Sequence, residues 1–378
     1  MVRRPIKLFL CGDVMTGRGI DQLLPSPNSP ELREVWVRDA RDYIQLAERI
    51  NGPIRRPVHA SYIWGDALDE LEQFAPDVRI INLETSVTTS ASYSPGKAIH
   101  YRMHPANVAC LTTARIDVCT LANNHVLDFG DDGLLDTLDT LHGAGIRTAG
   151  AGRDVFEAQR PAIVELPEAR RVAVFSLASE TSGVPAGWCA TEDRAGVDLI
   201  PDLSDALADH VLERVAQLTT GGDLSIASIH WGGNWGYDVP RSFVHFAHRL
   251  LDGGFALVHG HSSHHPKPIE VYKNKLVLYG CGDFLSDYEG ITGHEQFGVG
   301  LALMYFATVY VDSGELLELR MVPMRMRRMQ ATRASRSDAE WLRDTLTRAS
   351  QSFGSCIDLA ASGTANATDL LLHARADR

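Results

Sequence analysis

The chain has 378 residues, 44% of them hydrophobic and 22% charged, with a formal net charge of −12. That length suits one large α/β domain or two ordinary ones, and the composition is that of an ordinary soluble globular protein. The negative charge argues against general electrostatic attraction to nucleic acid or anionic membrane, and no run approaches the roughly 20 apolar residues that cross a bilayer.

The basic start, Met1-Val-Arg-Arg-Pro-Ile-Lys7, is followed by an apolar run of only Leu8 to Cys11. That run is too short for the core of a signal peptide, so a cytoplasmic protein without a membrane anchor is expected. Cys11, Cys110, Cys119, Cys189, Cys281 and Cys356 show no Cys-x-x-Cys spacing and are expected as free thiols.

Ile6 to Cys11 reads as a buried strand that ends in the loop Gly12 to Arg18. Asp13 then sits at the C-terminal edge of a sheet, where ligand sites of open α/β sheets collect, although an aspartate there can equally cap the next helix. Arg18 is suited to clamp a carboxylate or phosphate. Residues 25 to 66 read as an insertion over the site, with a helix predicted from about Glu31 to Ile50. A helix from Ala67 to Phe74 leads to a strand from Val78 to Ile81, which ends in Asn82-Leu83-Glu84.

After the serine-rich loop Ser90 to Gly96, a helix near Pro105 to Ala114 and a strand from Val118 to Leu121 deliver Asn123-Asn124-His125-Val-Leu-Asp128. Leucines at helical spacing follow between Gly133 and His142, then a short strand from Ile146 to Ala149. Ile163 to Leu166 and Val172 to Leu177 alternate as a hairpin. A helix from Leu203 to Leu218 leads to the strand Leu224 to Ile229, and the helix Phe243 to Leu251 leads to Phe255 to Val258. These two strands end in His230-Trp-Gly-Gly-Asn-Trp-Gly-Tyr237 and His259-Gly-His-Ser-Ser-His-His265. Leu276 to Tyr279 is a further strand, ending near Asp283, and Gly293-His294-Glu295 lies in the next loop. Val299 to Val311 and Leu316 to Met324 form a closing hairpin. From Arg325 the chain turns basic, and surface helices are expected to 378.

Strand, acidic or histidine loop, helix is the repeating unit, which describes an α/β sheet with its chemistry on one edge. Successive strand ends carry Asp13, Glu84, Asn124 with His125, His230, and His261 with His264. Clustered imidazoles and carboxylates exceed what packing requires, and together they read as a divalent metal site.

In order and identity, Gly12-Asp-Val-Met-Thr-Gly-Arg18, Asn82-Leu-Glu84, Ala122-Asn-Asn-His-Val-Leu-Asp-Phe-Gly130, His230-Trp-Gly232 and Gly260-His-Ser-Ser-His264 resemble the CapA branch of the calcineurin-like metallophosphoesterase superfamily. The resemblance covers roughly residues 6 to 312. It implies a β-sandwich flanked by helices, with a catalytic domain over 1–324 and an extension over 325–378. It also implies that Asp13, Glu84, Asn124, His230, His261 and His264 are metal ligands, and that His125 is an acid–base histidine oriented by Asp128. Met15 stands where the superfamily's Asp-x-His motif has histidine, and a thioether is a poor ligand for a hard dication. One ion is therefore expected, Ca²⁺ or Mn²⁺ before Zn²⁺. His264 or His294 paired with Asp13 or Asp283 would give a second acid–base pair.

The resemblance extends to soluble CapA-like enzymes of actinobacterial lasso-peptide clusters that invert a C-terminal tryptophan. It implies a metal-dependent peptide epimerase acting on a ribosomal precursor peptide, with Trp231, Trp235 and Tyr237 as an aromatic wall for the substrate. The alternatives are a metal-dependent phosphoesterase and a protein that makes or binds poly-γ-glutamate.

Overall fold

The computed structural model describes residues 5–360 and 368–374, so the arginines of the basic start lie outside the described residues. The chain is a mixed α/β protein, as its alternating pattern implied. Two large sheets carry it, one of ten strands and one of seven.

In the first sheet, Pro5–Val14 lies between Leu301–Tyr310, antiparallel to it, and Val78–Leu83, parallel to it. Val118–Thr120 and Arg147–Ala149 continue the parallel side. In the second sheet, Arg170–Ser179, Asp223–His230, Leu257–His261 and Lys275–Leu278 are parallel neighbours. Ala162–Leu166 and Ile269–Tyr272 close its edges in antiparallel fashion. Parallel strands need long crossovers, which is why strands and helices alternate along the sequence.

Alternation along the strands then sorts side chains into layers. Ile6, Leu8 and Leu10 point toward Val172, Val174, Leu224 and Ile226 of the second sheet and form the inter-sheet core. Phe9 and Cys11 face the other way, into a core with Tyr43, Ile44, Trp64 and Leu71 from the helices. Ala227, Ile229 and Val258 pack outward against Asp205–Leu218 and Arg241–Asp252. The result is helix, sheet, sheet, helix, with both sets of parallel strands delivering their C-terminal ends to one rim.

Two expectations are revised. The helix expected from Glu31 covers only Arg41–Asn51. Residues 30–40 fold back on themselves instead: Leu32 N–H donates to Arg38 at 2.9 Å and Ala40 N–H to Pro30 at 2.7 Å. Glu34 is drawn inward to Arg18 at 3.0 Å, a tertiary contact that overrides helical propensity. The second concerns the boundary at 324, which falls inside the strand Leu316–Met326. Leu370–Ala374 and Ser355–Leu359 extend the first sheet beyond that strand, and Arg336–Ala349 is the helix of this region. The described part of 325–378 is thus built into the first sheet. All six cysteines are free thiols, four of them buried.

Arg333 fastens this C-terminal region. It bonds Glu70 at 2.6 Å and Asp369 at 3.0 Å, and both carboxylates are buried. Removing a buried pair's partner strands the remaining charge. Arg333→Ala is expected to lower the unfolding free energy by about 3 kcal/mol in a urea titration, and an unchanged midpoint would show that the contact carries no such weight.

Candidate metal centre

Register brings the donors together. His230 pairs directly with His261 across adjacent parallel strands, and Asp13 pairs with both Asn82 and Asp283 across its two neighbours. The close approach requires glycine at position 12, where a Cβ would stand 1.5 Å from the Gly282 carbonyl oxygen. Ser262 adopts φ of +102°, a strained conformation outside glycine, and this turns its N–H onto Asp13 Oδ2 at 3.2 Å.

Asp13, His230 and His261 each present a donor atom, all within 4.8 Å of one another and all buried. The hydrogen bonds around the two rings show which nitrogens are free. His230 Nε2 faces Asn124 Oδ1 at 3.1 Å and Glu84 Oε1 at 3.7 Å, both acceptors, so it carries the proton. His261 Nε2 is bonded to Ser228 Oγ at 2.9 Å. The two Nδ1 atoms are left facing each other at 2.8 Å, with Asp13 Oδ1 4.0 Å from that of His261. That separation is the length of a single N–H···N hydrogen bond, and it also suits two neighbouring ligands of one ion, which would take up both lone pairs. Glu84 Oε2 is also buried without a hydrogen-bond partner. The residues present fit a divalent ion.

Two histidine–carboxylate pairs flank this cluster: His125 and Asp128 follow a strand of the first sheet, while His264 follows a strand of the second and Asp283 lies in the first. His125 Nδ1 bonds Asp128 Oδ2 at 2.6 Å, leaving Nε2 turned toward Glu84 Oε1 at 4.0 Å. Tyr101 stacks on the His125 ring with centroids 3.9 Å apart, and its N–H donates to Asp128 at 2.7 Å. Lys97 forms an ion pair with Asp128 and donates to the Asn124 carbonyl. Burial pulls the His125 pKa down to about 4, opposed by the charge of Asp128. The ring is neutral at pH 7 and is equipped to accept a proton at Nε2.

His264 Nδ1 bonds Asp283 Oδ1 at 2.9 Å, and its Nε2 meets Asn234 at 3.0 Å. Burial lowers its pKa, but the charge and hydrogen bond of Asp283 outweigh that and raise it above the ordinary value. His125 is therefore the neutral member, open to accept a proton but weakly basic, and His264 the one more inclined to hold a proton. Tyr101 and Tyr288 hydroxyls join the two sides through a 2.6 Å hydrogen bond, with Tyr288 edge-on to His264.

A cavity of about 260 Å³ opens beside the flanking groups, lined by Tyr101, Tyr288, His264, Trp235, His294 and Ile291 among others, with Asp13, His230 and His261 outside its lining. Trp235 and His294 stack face to face there at 3.9 Å. His294 thus belongs to the wall, and the partner of Asp283 is His264. His264 in turn stands apart from the three convergent donors. Trp231, expected in the aromatic wall, is 2% exposed, donates to the Tyr279 carbonyl at 3.0 Å and stacks on Phe243. Strand alternation points it into the core. Tyr237 packs on His265 and Phe297. Arg18 lines the cavity, but its guanidinium is committed to Asp287, Glu34 and Tyr43. It braces the insertion and has little capacity left to clamp a substrate.

Lys97, Tyr101, Tyr288, Asn82, Ser228 and His259 were not singled out from the sequence. Asn82 donates to Asp13 at 2.7 Å and carried a signal through its place in Asn82-Leu83-Glu84. His259 carried one through its spacing of two from His261. Lys97 and the tyrosines come from loops whose composition gives no such cue.

Residues 7–288 match the family model described as bacterial capsule synthesis protein PGA_cap. The chain is 52% identical over 350 residues, 92% of each chain, to the probable polyglutamine synthesis accessory protein of Mycobacterium tuberculosis. It is 26% identical over 207 residues to the PGA biosynthesis protein CapA of Bacillus subtilis, covering 54% of this chain and 52% of that one. The capsule biosynthesis protein CapA of Bacillus anthracis is 22% identical over 283 residues, covering 75% and 60%.

The centre implies a pH dependence of ion binding. Burial pushes the Asp13 carboxyl up to about 7, with the charge of Asp283 adding to it. Burial also holds His230 and His261 well below the ordinary imidazole value, so both are already neutral. Asp13 must then lose its proton to meet a cation below pH 7. Affinity for Mn²⁺ is expected to fall about tenfold per pH unit below 7, level off above it, and release protons on binding. Calorimetry in buffers of different ionisation heat reads both, and an affinity constant across that range would contradict the donor assignment.

Proposed function

The chain belongs to the bacterial capsule synthesis protein family PGA_cap, and on that premise we propose that it is a metal-bearing accessory protein in the synthesis of a glutamate polymer of the poly-γ-glutamate kind. The observation that carries this reading is the buried convergence of Asp13, His230 and His261 beside an open cavity. Its relatives' names support a polymer of this general class: polyglutamine, whose side chains are neutral amides, for the accessory protein of Mycobacterium tuberculosis, and PGA for the biosynthesis protein of Bacillus subtilis.

Two packed sheets with donors at strand C-terminal ends support a calcineurin-like metallophosphoesterase arrangement. Met15 supports one ion per chain. It is 1% exposed, and its sulfur accepts the Gly17 N–H at 3.2 Å, so it adds no hard donor. Hydrolysis by two ions, which needs a second set of hard donors, is correspondingly disfavoured. Two imidazoles and a carboxylate, with Glu84 close by, favour Mn²⁺ or Zn²⁺ over Ca²⁺.

Asp13, His230 and His261 would hold the divalent ion, which would supply positive charge to a carboxylate or carbonyl oxygen of a bound chain. Tyr101 and Tyr288 present hydroxyls from the cavity wall to the same chain. His125, neutral and oriented by Asp128, accepts a proton at Nε2. His264, oriented by Asp283, holds one on the other side.

That last feature supports a second reading, a peptide epimerase. Inverting Cα needs a base on one face and an acid on the other, and His125–Asp128 and His264–Asp283 offer two such groups, the first histidine with its pKa lowered and the second with its pKa raised.

The two readings part on one pair of measurements. For the accessory protein, the ion-loaded chain binds poly-γ-glutamate in a titration. His230→Ala and His261→Ala abolish ion and polymer binding together, while His125→Ala keeps both. For the epimerase, incubation with a peptide in D₂O places deuterium on one Cα, and His125→Ala or Asp128→Asn slows that exchange by about a hundredfold or more while the ion stays bound. Polymer binding unaffected by removal of the ion would overturn the first reading.

A further inference from the structure

Behind the centre, two buried polar side chains lie away from the cavity lining: Ser228 and His259, each 0% exposed. They pair across adjacent strands, Ser228 opposite His259. His259 lies two residues before His261, so strand alternation puts both rings on one face, with centroids 5.3 Å apart.

The hydrogen bonds among them have a forced direction. His259 Nε2 lies 2.7 Å from the Cys11 carbonyl oxygen, which can only accept, so His259 carries its proton on Nε2. A neutral ring then has a bare Nδ1, and the Ser228 hydroxyl at 3.1 Å donates to it. Ser228 Oγ keeps lone pairs, and His261 Nε2 donates to one of them at 2.9 Å. Thr120 Oγ1 is a longer option for the hydroxyl at 3.3 Å, but choosing it would leave His259 Nδ1 buried without a donor. The direction set at a backbone carbonyl of the first sheet therefore ends by baring His261 Nδ1, the nitrogen 2.8 Å from His230 Nδ1.

We infer that Ser228 and His259 are positioning residues of the metal centre, a two-residue relay that locks His261 in the tautomer presenting Nδ1 to the ion. The inference rests on the metal-centre reading above and adds to it the groups that prepare one ligand before any ion arrives. Without the relay, His261 is free to place its proton on Nδ1, where it would block the donor position. Partners of metal-bound histidines typically alter affinity about 10- to 100-fold when removed.

The test separates tautomer from ion binding. Chain labelled with ¹⁵N-histidine and stripped of metal is observed by long-range ¹H–¹⁵N correlation, which shows which ring nitrogen is protonated. Wild type is expected to show His259 and His261 protonated on Nε2. Ser228→Ala and His259→Phe are expected to mix the His261 tautomers and to weaken Mn²⁺ and Zn²⁺ binding by about 10- to 100-fold, with far-ultraviolet dichroism unchanged. His259→Gln, whose amide offers one donor and one acceptor, is expected to recover most of the affinity. Ser228→Ala provides the result if His259→Phe does not fold. A wild-type His261 protonated on Nδ1, or full ion affinity in Ser228→Ala, would overturn the relay while leaving the metal centre standing. A chain with the expected tautomer that takes up neither ion would instead overturn the metal reading, and the positioning role with it.

Discussion

Two imidazole nitrogens facing each other at 2.8 Å, shielded from water and beside the buried carboxylates of Asp13 and Glu84, set the terms for this molecule. Burial raises the pKa of both acids, with each feeling the charge of neighbouring aspartates. Such a cluster is costly to keep ionised without positive charge, because charges removed from water lose solvation that only a close counter-charge restores. A divalent ion meets that requirement with the donors as they stand. Lys97 and His264 lie at the periphery, each engaged by its own aspartate.

The architecture serves this convergence. Parallel strands in register bring His230 beside His261, and Asp13 beside Asn82 and Asp283, so the spacing of the donors follows from sheet geometry. Gly12 and Ser262 bear the local cost of the close approach, one by lacking a side chain and the other by a strained backbone. The insertion is pinned over this rim by Arg18, which ties Glu34 and Tyr43 to Asp287. A buried, multiply bonded guanidinium of that kind holds loops in one arrangement, and the tyrosines beside it form part of the cavity wall.

Family membership and geometry bear on different parts of the function. The relatives bear names from polyglutamine, PGA and capsule synthesis. The geometry supplies three convergent donors that fit a divalent ion, with the His125–Asp128 and His264–Asp283 pairs nearby. The two meet in the proposal of a protein that grips a polymer chain through an ion. The paired histidines leave open a chemical step on that chain, and the two readings differ in whether a C–H bond is broken.

The sequence by itself determined the α/β class, the order of most strands and the strand ends that carry Asp13, Glu84, Asn124, His125, His230 and His261. Apolar runs that stop at histidine or carboxylate are local patterns, and local patterns survive in one dimension. It also placed His125 with Asp128, because three residues of separation is a contact the chain makes with itself. What only the tertiary structure decided was pairing over long separations. His264 took Asp283, while His294 went to Trp235; Trp231 turned into the core; Arg18 was consumed by Glu34 and Asp287; residues 30–40 gave up their helix to deliver Glu34; and the C-terminal segment joined the first sheet. Lys97, Tyr101, Tyr288 and the Ser228–His259 pair entered the site for the same reason. A hydrogen bond needs atoms about 3 Å apart in a fixed direction, and for residues far apart in sequence that geometry exists only after the sheets have packed.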